Sequence, residues 1–74
     1  MTLNQLPTGK SARVVCLSER CSIRDRLLDL GLIPGGDVIA LMRSPLGDPT
    51  AYLICGAVIA LRCEDASGVE ICME

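Results

Sequence analysis

The sequence of 74 residues contains no histidine, phenylalanine or tryptophan and one tyrosine, Tyr52. Without histidine, a serine or cysteine nucleophile lacks its usual general base, and a chain this short has little room for a catalytic cleft. We therefore expect no enzymatic activity. Small barrels that bind polyproline or single-stranded nucleic acid use aromatic side chains for it, so both modes are disfavoured here. Aliphatic contacts, backbone pairing at a strand edge and a few charges remain as means of binding.

Charge and hydropathy exclude further classes. The net charge is −2 at pH 7 and there is no cluster of lysines, which argues against a nucleic-acid surface. The first ten residues have neither the basic nor the apolar segment of a secretory signal. The longest apolar run, residues 51–61, is well short of the roughly 20 residues that cross a bilayer as a helix. We therefore expect a cytoplasmic protein.

Five cysteines raise the question of a metal site. Iron and zinc sites draw on His, Cys, Asp and Glu, but this sequence has no histidine and no Cys-x-x-Cys pair. Cys16 and Cys21 are separated by four residues, while Cys55, Cys63 and Cys72 lie well apart, so only the fold could assemble a four-thiolate site. We expect no metal and no cofactor. Cys16 is predicted to be a small buried hydrophobe, and Cys72 to point outward as the most reactive thiol.

Local signals for structure are concentrated between residues 22 and 49. Ser22 and Asp25 have the spacing of an S-x-x-D capping box, which predicts a helix that begins at Ile23. Ile23, Leu27 and Leu30 then fall on one apolar stripe of that helix. The pattern therefore predicts a short amphipathic helix.

The same segment specifies how the helix ends. Gly31 provides the left-handed residue that terminates a helix without steric strain, and Leu32 is placed to contact Leu27 across the cap. Pro34 prevents the helix from continuing. Pro34 followed by Gly35 is typical of a type II turn, which needs a positive φ at its second central position. The chain is expected to leave this turn as a strand.

Alternating and β-rich segments predict five strands, at Ser11–Leu17, Asp37–Arg43, Thr50–Cys55, Ala57–Arg62 and Val69–Met73. A hairpin loop at 45–49, a bend at Gly56 and a helical turn at 64–68 connect the later strands. In the last strand, Val69, Ile71 and Met73 are expected to point inward. We predict one mainly β domain over residues 1–74, a small, partly open SH3-like β-barrel of five strands with one short helix between strands 1 and 2.

The middle strands are apolar on both faces. In the second strand, Val38, Ala40 and Met42 alternate with Ile39 and Leu41, and the fourth strand is equally apolar. One barrel interior cannot bury both sets. The helix must cover part of the outside, and we expect some of the remainder to form an exposed apolar patch of the kind that marks a partner site. The alternative is that the helix and the termini cover all of it.

Three separated motifs carry a family resemblance. They are the L-D-L-G-L-x-P-G element at Leu28 to Gly35, the L-G-D-P loop at Leu46 to Pro49 and the G-x-x-I-A-L-R strand at Gly56 to Arg62. In this order and spacing, over about Leu6 to Ile71, the sequence resembles the ferrous iron transport protein A family (FeoA). The fold of that family is similar to the C-terminal domain of DtxR-type iron-dependent repressors.

The resemblance implies a partner. Members of this family act with FeoB, a membrane ferrous-iron transporter whose cytosolic part is a GTPase domain. We therefore expect a non-enzymatic cytosolic accessory protein that docks on a FeoB-type transporter, modulates it, and reaches the inner membrane through it. Candidate contact residues come from the helix and the two motif loops: Arg24, Arg26, Leu32, Pro34, Leu46, Gly47, Asp48 and Pro49.

An alternative of another class is a metal- or effector-sensing regulatory module that binds a transition metal ion. It would require carboxylates such as Asp48, Glu64, Asp65 and Glu70 to converge, which their spacing does not demand. Calorimetry of the free domain with Fe(II) or Mn(II) would separate the two, because a docking module should show no site-specific metal binding.

Overall fold

The computed structural model describes residues 1–18 and 23–73. A single 3-10 turn at Leu3–Gln5 is followed by β1 (Ser11–Leu17), α1 (Arg24–Asp29), β2 (Asp37–Arg43), β3 (Thr50–Ile54), β4 (Ala57–Leu61), α2 (Cys63–Ala66) and β5 (Val69–Met73). All five predicted strands are confirmed, although β3 and β4 each end one residue earlier than expected. The helical turn predicted at 64–68 corresponds to α2, which begins one residue earlier than predicted.

The five strands form one antiparallel sheet in the order β4-β3-β2-β1-β5. This confirms a mainly β fold with a short helix between the first two strands. Within residues 1–18 and 23–73, β4 and β5 are the two edges and do not pair with each other. The sheet is open between β4 and β5, so its closure into a barrel stays a prediction.

The helix ends as the sequence predicts. Gly31 has a φ of +100°, its N–H donates to the Leu28 carbonyl at 3.1 Å, and the Leu32 N–H donates to the Leu27 carbonyl at 3.0 Å. These two bonds are those of a Schellman cap. At its start the helix begins with Arg24, one residue later than predicted, and the predicted cap residue Ser22 lies outside the described residues.

The predicted apolar stripe of α1 is confirmed in part. Leu27 is fully buried and Ile23 packs partly buried against the core, but Leu30 is 40% exposed. Leu30 follows the last helical residue, so the short helix does not carry the stripe this far. The type II turn is confirmed, since Gly35 has a φ of +87° and the Gly36 N–H donates to the Ile33 carbonyl at 3.0 Å.

Two β-bulges correct the predicted strand faces. The register of β1 against β5 shifts between Val14 and Cys16, so Leu17 points inward and Cys16 is exposed. The prediction of a buried Cys16 was therefore wrong. A second shift, between Ala40 and Met42 of β2, leaves Met42 65% exposed. Each extra residue reverses the alternation beyond it.

The core contains residues that the pattern did not indicate. Leu3 and Leu6, which precede the first strand, are fully buried. Tyr52 is buried as well, and its hydroxyl donates to the Leu3 carbonyl at 3.5 Å. In β5, Val69 and Ile71 are buried as predicted, but Met73, the last residue of this edge strand, is exposed.

Candidate functional site

The β2–β3 loop presents a leucine to solvent. Leu46 is 93% exposed, the largest value among the exposed large hydrophobic residues. The loop is held by its own bonds: the Gly47 N–H donates to the Ser44 carbonyl at 2.8 Å, and the Ser44 hydroxyl donates to the Asp48 carbonyl at 2.8 Å. An ordered loop therefore displays an apolar side chain that contributes little to the core.

Asp48 fixes this loop to the rest of the molecule. Its Oδ1 accepts the N–H of Cys63, the first residue of α2, at 2.8 Å. The Cys63 thiol in turn accepts the Asn4 amide at 3.4 Å. A carboxylate that accepts a free amide of the first helical turn is favourable in charge as well as geometry. The Asp48 side chain thus has a structural task and places the loop beside the end of β4.

A shallow groove of about 250 Å³ separates α1 from β4. Its walls are mostly apolar, and its lining consists of Ile23, Arg26, Leu27, Leu30, Ile59, Ala60, Leu61, Arg62 and Asp65. The exposed Arg26 and Arg62 form no ion pair with a described residue. Arg62 directly precedes Cys63, so the groove ends next to the Leu46–Pro49 loop.

The structure separates the other predicted contact residues. Leu32 is buried in the core, so its side chain is not available to a partner. Pro34 is exposed in the turn before β2, at the opposite end of that strand from Leu46. Arg24 is half-buried, with its Nη1 3.9 Å from Asp25 Oδ1 and its enclosed Nε without a hydrogen-bond partner in the described part of the chain. Arg26 and the 46–49 loop therefore lie on the side of the groove, and Pro34 lies apart.

Part of the outward face of the sheet is apolar, as expected from the two-sided strand pattern. Val58, Leu53 and Ile39 form one row across β4, β3 and β2, because Leu53 pairs with both of the others. Val58 is 66% exposed, while Leu53 and Ile39 are half-buried. The prediction of an exposed apolar patch is confirmed on this face.

Arg62 lines the groove, and sequence reasoning did not name it as a candidate. It is the last residue of the G-x-x-I-A-L-R motif, and that motif was the available signal. Its proximity to Arg26 could not be anticipated, because it depends on α1 lying alongside β4.

Metal-ligating side chains do not gather in the described ranges, where no group of three or more Cys, Asp or Glu residues is placed to hold an ion. Cys16, Cys55, Cys63 and Cys72 are free and exposed, so the outward placement of Cys72 is confirmed. Cys21 lies outside the described residues. Glu70 accepts a hydrogen bond from the amino terminus at 2.9 Å. Residues 1–18 and 23–73 also contain no helix that is long and apolar enough to cross a membrane.

Comparison with known proteins identifies relatives along nearly the whole chain. The model of the FeoA domain family matches residues 1–72. The Fe(2+) transport protein A/Fe(2+) transporter FeoB fusion protein of Porphyromonas gingivalis is 35% identical over 71 residues, which are 96% of this chain and 8% of the fusion protein. The chain thus spans less than a tenth of the length of this curated relative.

Solved structures give the same result. The FeoA protein of Chlorobium tepidum is 33% identical with a TM-score of 0.91, and the match covers 99% of this chain and 70% of that one. The zinc-complexed FeoA of Stenotrophomonas maltophilia, described as a procaryotic SH3 domain protein, is 31% identical with a TM-score of 0.85, covering 96% and 88%. IdeR of T. acidophilum, at 23% identity and a TM-score of 0.85 over 100% of this chain and 34% of that one, shares the fold alone. The predicted likeness to iron-dependent repressors is confirmed at the level of fold.

Proposed function

We propose that the chain, which belongs to the FeoA domain family, is a small accessory domain of ferrous iron uptake. In this proposal it docks on the cytosolic side of a FeoB-type membrane transporter and modulates transport. It acts by contact and carries out no chemistry of its own.

The fusion relative is the observation that supports this function best. In that protein a segment similar to this chain and a Fe(2+) transporter FeoB are parts of one polypeptide. Linking two modules raises their effective concentration to the millimolar range when the linker is short, and this is useful when the modules touch each other. A separate chain of the same family would need enough affinity of its own to reach the same contact.

The side of the molecule that contains the Leu46–Pro49 loop and the groove suits such a contact. Leu46 offers an apolar side chain on an ordered loop, and the arginines Arg26 and Arg62 offer positive charge at the adjacent groove. Exposed apolar surface beside an excess of one charge is typical of a protein-binding site. We refer to the loop and the groove together as the docking side.

Reconstituted transport tests this function. The full-length FeoB-type transporter of the same organism is placed in proteoliposomes, and Fe(II) uptake and GTP hydrolysis are measured with increasing amounts of the domain. We expect both rates to change in a saturable way. Leu46→Asp should abolish the effect, whereas Val15→Asp, at an exposed apolar residue of β1, should retain it. Rates that do not respond to any concentration of the wild-type domain would exclude modulation.

A further inference from the structure

The two edges of the sheet are not alike. Along β5, the amino-terminal residues cover the free edge: Thr2 pairs with Glu70, and the Ile71 N–H donates to the Met1 carbonyl at 2.8 Å. Along β4, no strand within residues 1–18 and 23–73 covers the outer edge. The β4 sequence, Ala-Val-Ile-Ala-Leu, has no charge and no proline, which are the usual means by which edge strands avoid pairing.

The hairpin geometry identifies the unpaired backbone groups of β4. Strands β3 and β4 are joined by Cys55 and Gly56, whose φ values of +49° and +79° are those of a two-residue type I′ turn. In such a hairpin the residues that flank the turn exchange hydrogen bonds, and the next residue on each strand points its backbone groups away. The N–H and C=O of Val58 and Ala60 therefore face outward from the sheet.

The groove follows this edge. Four consecutive residues, 59–62, form one side of it, and Ile23, Leu27 and Leu30 contribute to the side of α1. The helix is thus set back from the strand and leaves room for aliphatic side chains between them. A strand added to β4 would place alternate side chains in this apolar groove.

The charge of the groove distinguishes between two possible added strands, a segment of another protein and a second copy of β4. Arg26 and Arg62 both line the groove and have no carboxylate partner among the described residues, while the half-buried Asp65 is the one acidic side chain in its lining. Two guanidinium groups against one carboxylate leave the groove with an excess of positive charge, which favours a segment that carries a carboxylate. A second copy of β4 would instead bring a further arginine, because Arg62 follows the strand directly.

We propose that β4 and the groove bind an extended segment of a partner protein by β-strand addition. The segment is about as long as β4, has alternating aliphatic side chains and carries an acidic residue that reaches Arg26 or Arg62. Main-chain hydrogen bonds to Val58 and Ala60 provide affinity, and the groove provides selectivity. This inference rests on the proposed function, since it assigns the segment to the cytosolic part of the FeoB-type transporter.

A proline substitution isolates the backbone contact. Ala60→Pro removes an outward N–H without removing a bond to β3, since proline is compatible with the solvent side of an edge strand. Binding to the full-length transporter in nanodiscs should weaken about tenfold, the effect of one lost hydrogen bond of typical strength. The control variant Val15→Asp, at an exposed residue of β1, retains every N–H of β4 and should bind within about twofold of the wild type.

Amide hydrogen exchange on the wild-type chain keeps the test valid if Ala60→Pro fails to fold. Addition of the transporter should slow exchange of the Val58 and Ala60 amides at least about tenfold. Binding by Ala60→Pro at wild-type affinity, or exchange at Val58 and Ala60 that stays fast while the transporter is bound, would overturn this inference and leave docking intact. Protection that grows with domain concentration in the absence of transporter would assign the edge to a second copy and overturn the assignment to the transporter. Failure of the wild type to bind at all would overturn the proposed function as well.

Discussion

Gly31 and Cys55 are in direct contact where the helix ends against the β3–β4 turn. The Cys55 thiol donates to the Gly31 carbonyl at 3.5 Å, and a Cβ added to Gly31 would lie 2.8 Å from the Cys55 sulfur and 3.0 Å from its Cβ. This contact fixes one end of α1 against the hairpin that includes β4.

Substitution at this contact should reduce stability for two reasons. Gly31→Ala places a side chain in a left-handed conformation, which costs about 1–2 kcal/mol, and also forces it against Cys55. Gly56→Ala is a matched control, because Gly56 has a φ of +79° but no heavy atom within 4 Å of the added Cβ. Urea unfolding should show a clearly larger loss for Gly31→Ala. Equal losses would mean that the Cys55 side chain moves aside at no measurable cost in free energy.

The Asp48 side chain should stabilise the fold through its bond to the Cys63 amide. Asp48→Ala removes the acceptor and should lower the free energy of unfolding by about 1 kcal/mol. Asp48→Asn keeps an oxygen acceptor and should lose less. Chemical denaturation of the three proteins under one condition checks this order, and an alanine variant as stable as the wild type would refute it.

Two leucines that the sequence suggested as contacts should behave in opposite ways. Leu32→Ala empties a buried site and should reduce the free energy of unfolding by about 2–5 kcal/mol. Leu46→Ala should change it by less than about 0.5 kcal/mol, because Leu46 is 93% exposed. Only the Leu46 variant should fold normally and bind the transporter more weakly. A large loss of stability in Leu46→Ala would show that the loop belongs to the core.

Tyr52 should make the fold sensitive to alkaline pH. Burial raises the pKa of the Tyr52 hydroxyl above its ordinary value of 10.0, and a hydrogen bond with Thr50 opposes this shift only in part. The folded state thus favours the neutral phenol. The contribution of this preference to the free energy of unfolding is complete below pH 10 and is lost as the pH rises through the higher folded-state pKa. The difference in unfolding free energy between wild type and Tyr52→Phe should change between pH 8 and pH 11. Parallel pH profiles would contradict the assignment to Tyr52.

Local steric rules account for what could be predicted from the sequence. The helix end at Gly31 and the turn at Pro34 and Gly35 depend on the φ preferences of single residues. These preferences follow directly from the identity of each residue. The exposure of Cys16 and Met42 could not be predicted in the same way, since a bulge is specified by the partner strand as much as by its own residues. A correct strand boundary therefore did not guarantee the correct face.

The candidate site shows the same division. Leu46 and Asp48 could be proposed from the sequence because they lie within one short motif. The contribution of Arg62 and the uncovered edge of β4 depends on the strand order and on where α1 lies, and neither is encoded in a local pattern. Leu3 and Leu6 were missed as core residues because their segment has no periodicity to indicate burial.

A binding titration offers the clearest test of docking on the transporter. Fluorescently labelled wild-type domain is titrated with the full-length FeoB-type transporter of the same organism in nanodiscs, and with empty nanodiscs of the same lipid as the control. We predict saturable binding with a stoichiometry of one domain per transporter and no binding to empty nanodiscs. A flat titration with a transporter that is active in iron uptake, or equal binding to lipid alone, would contradict the proposal.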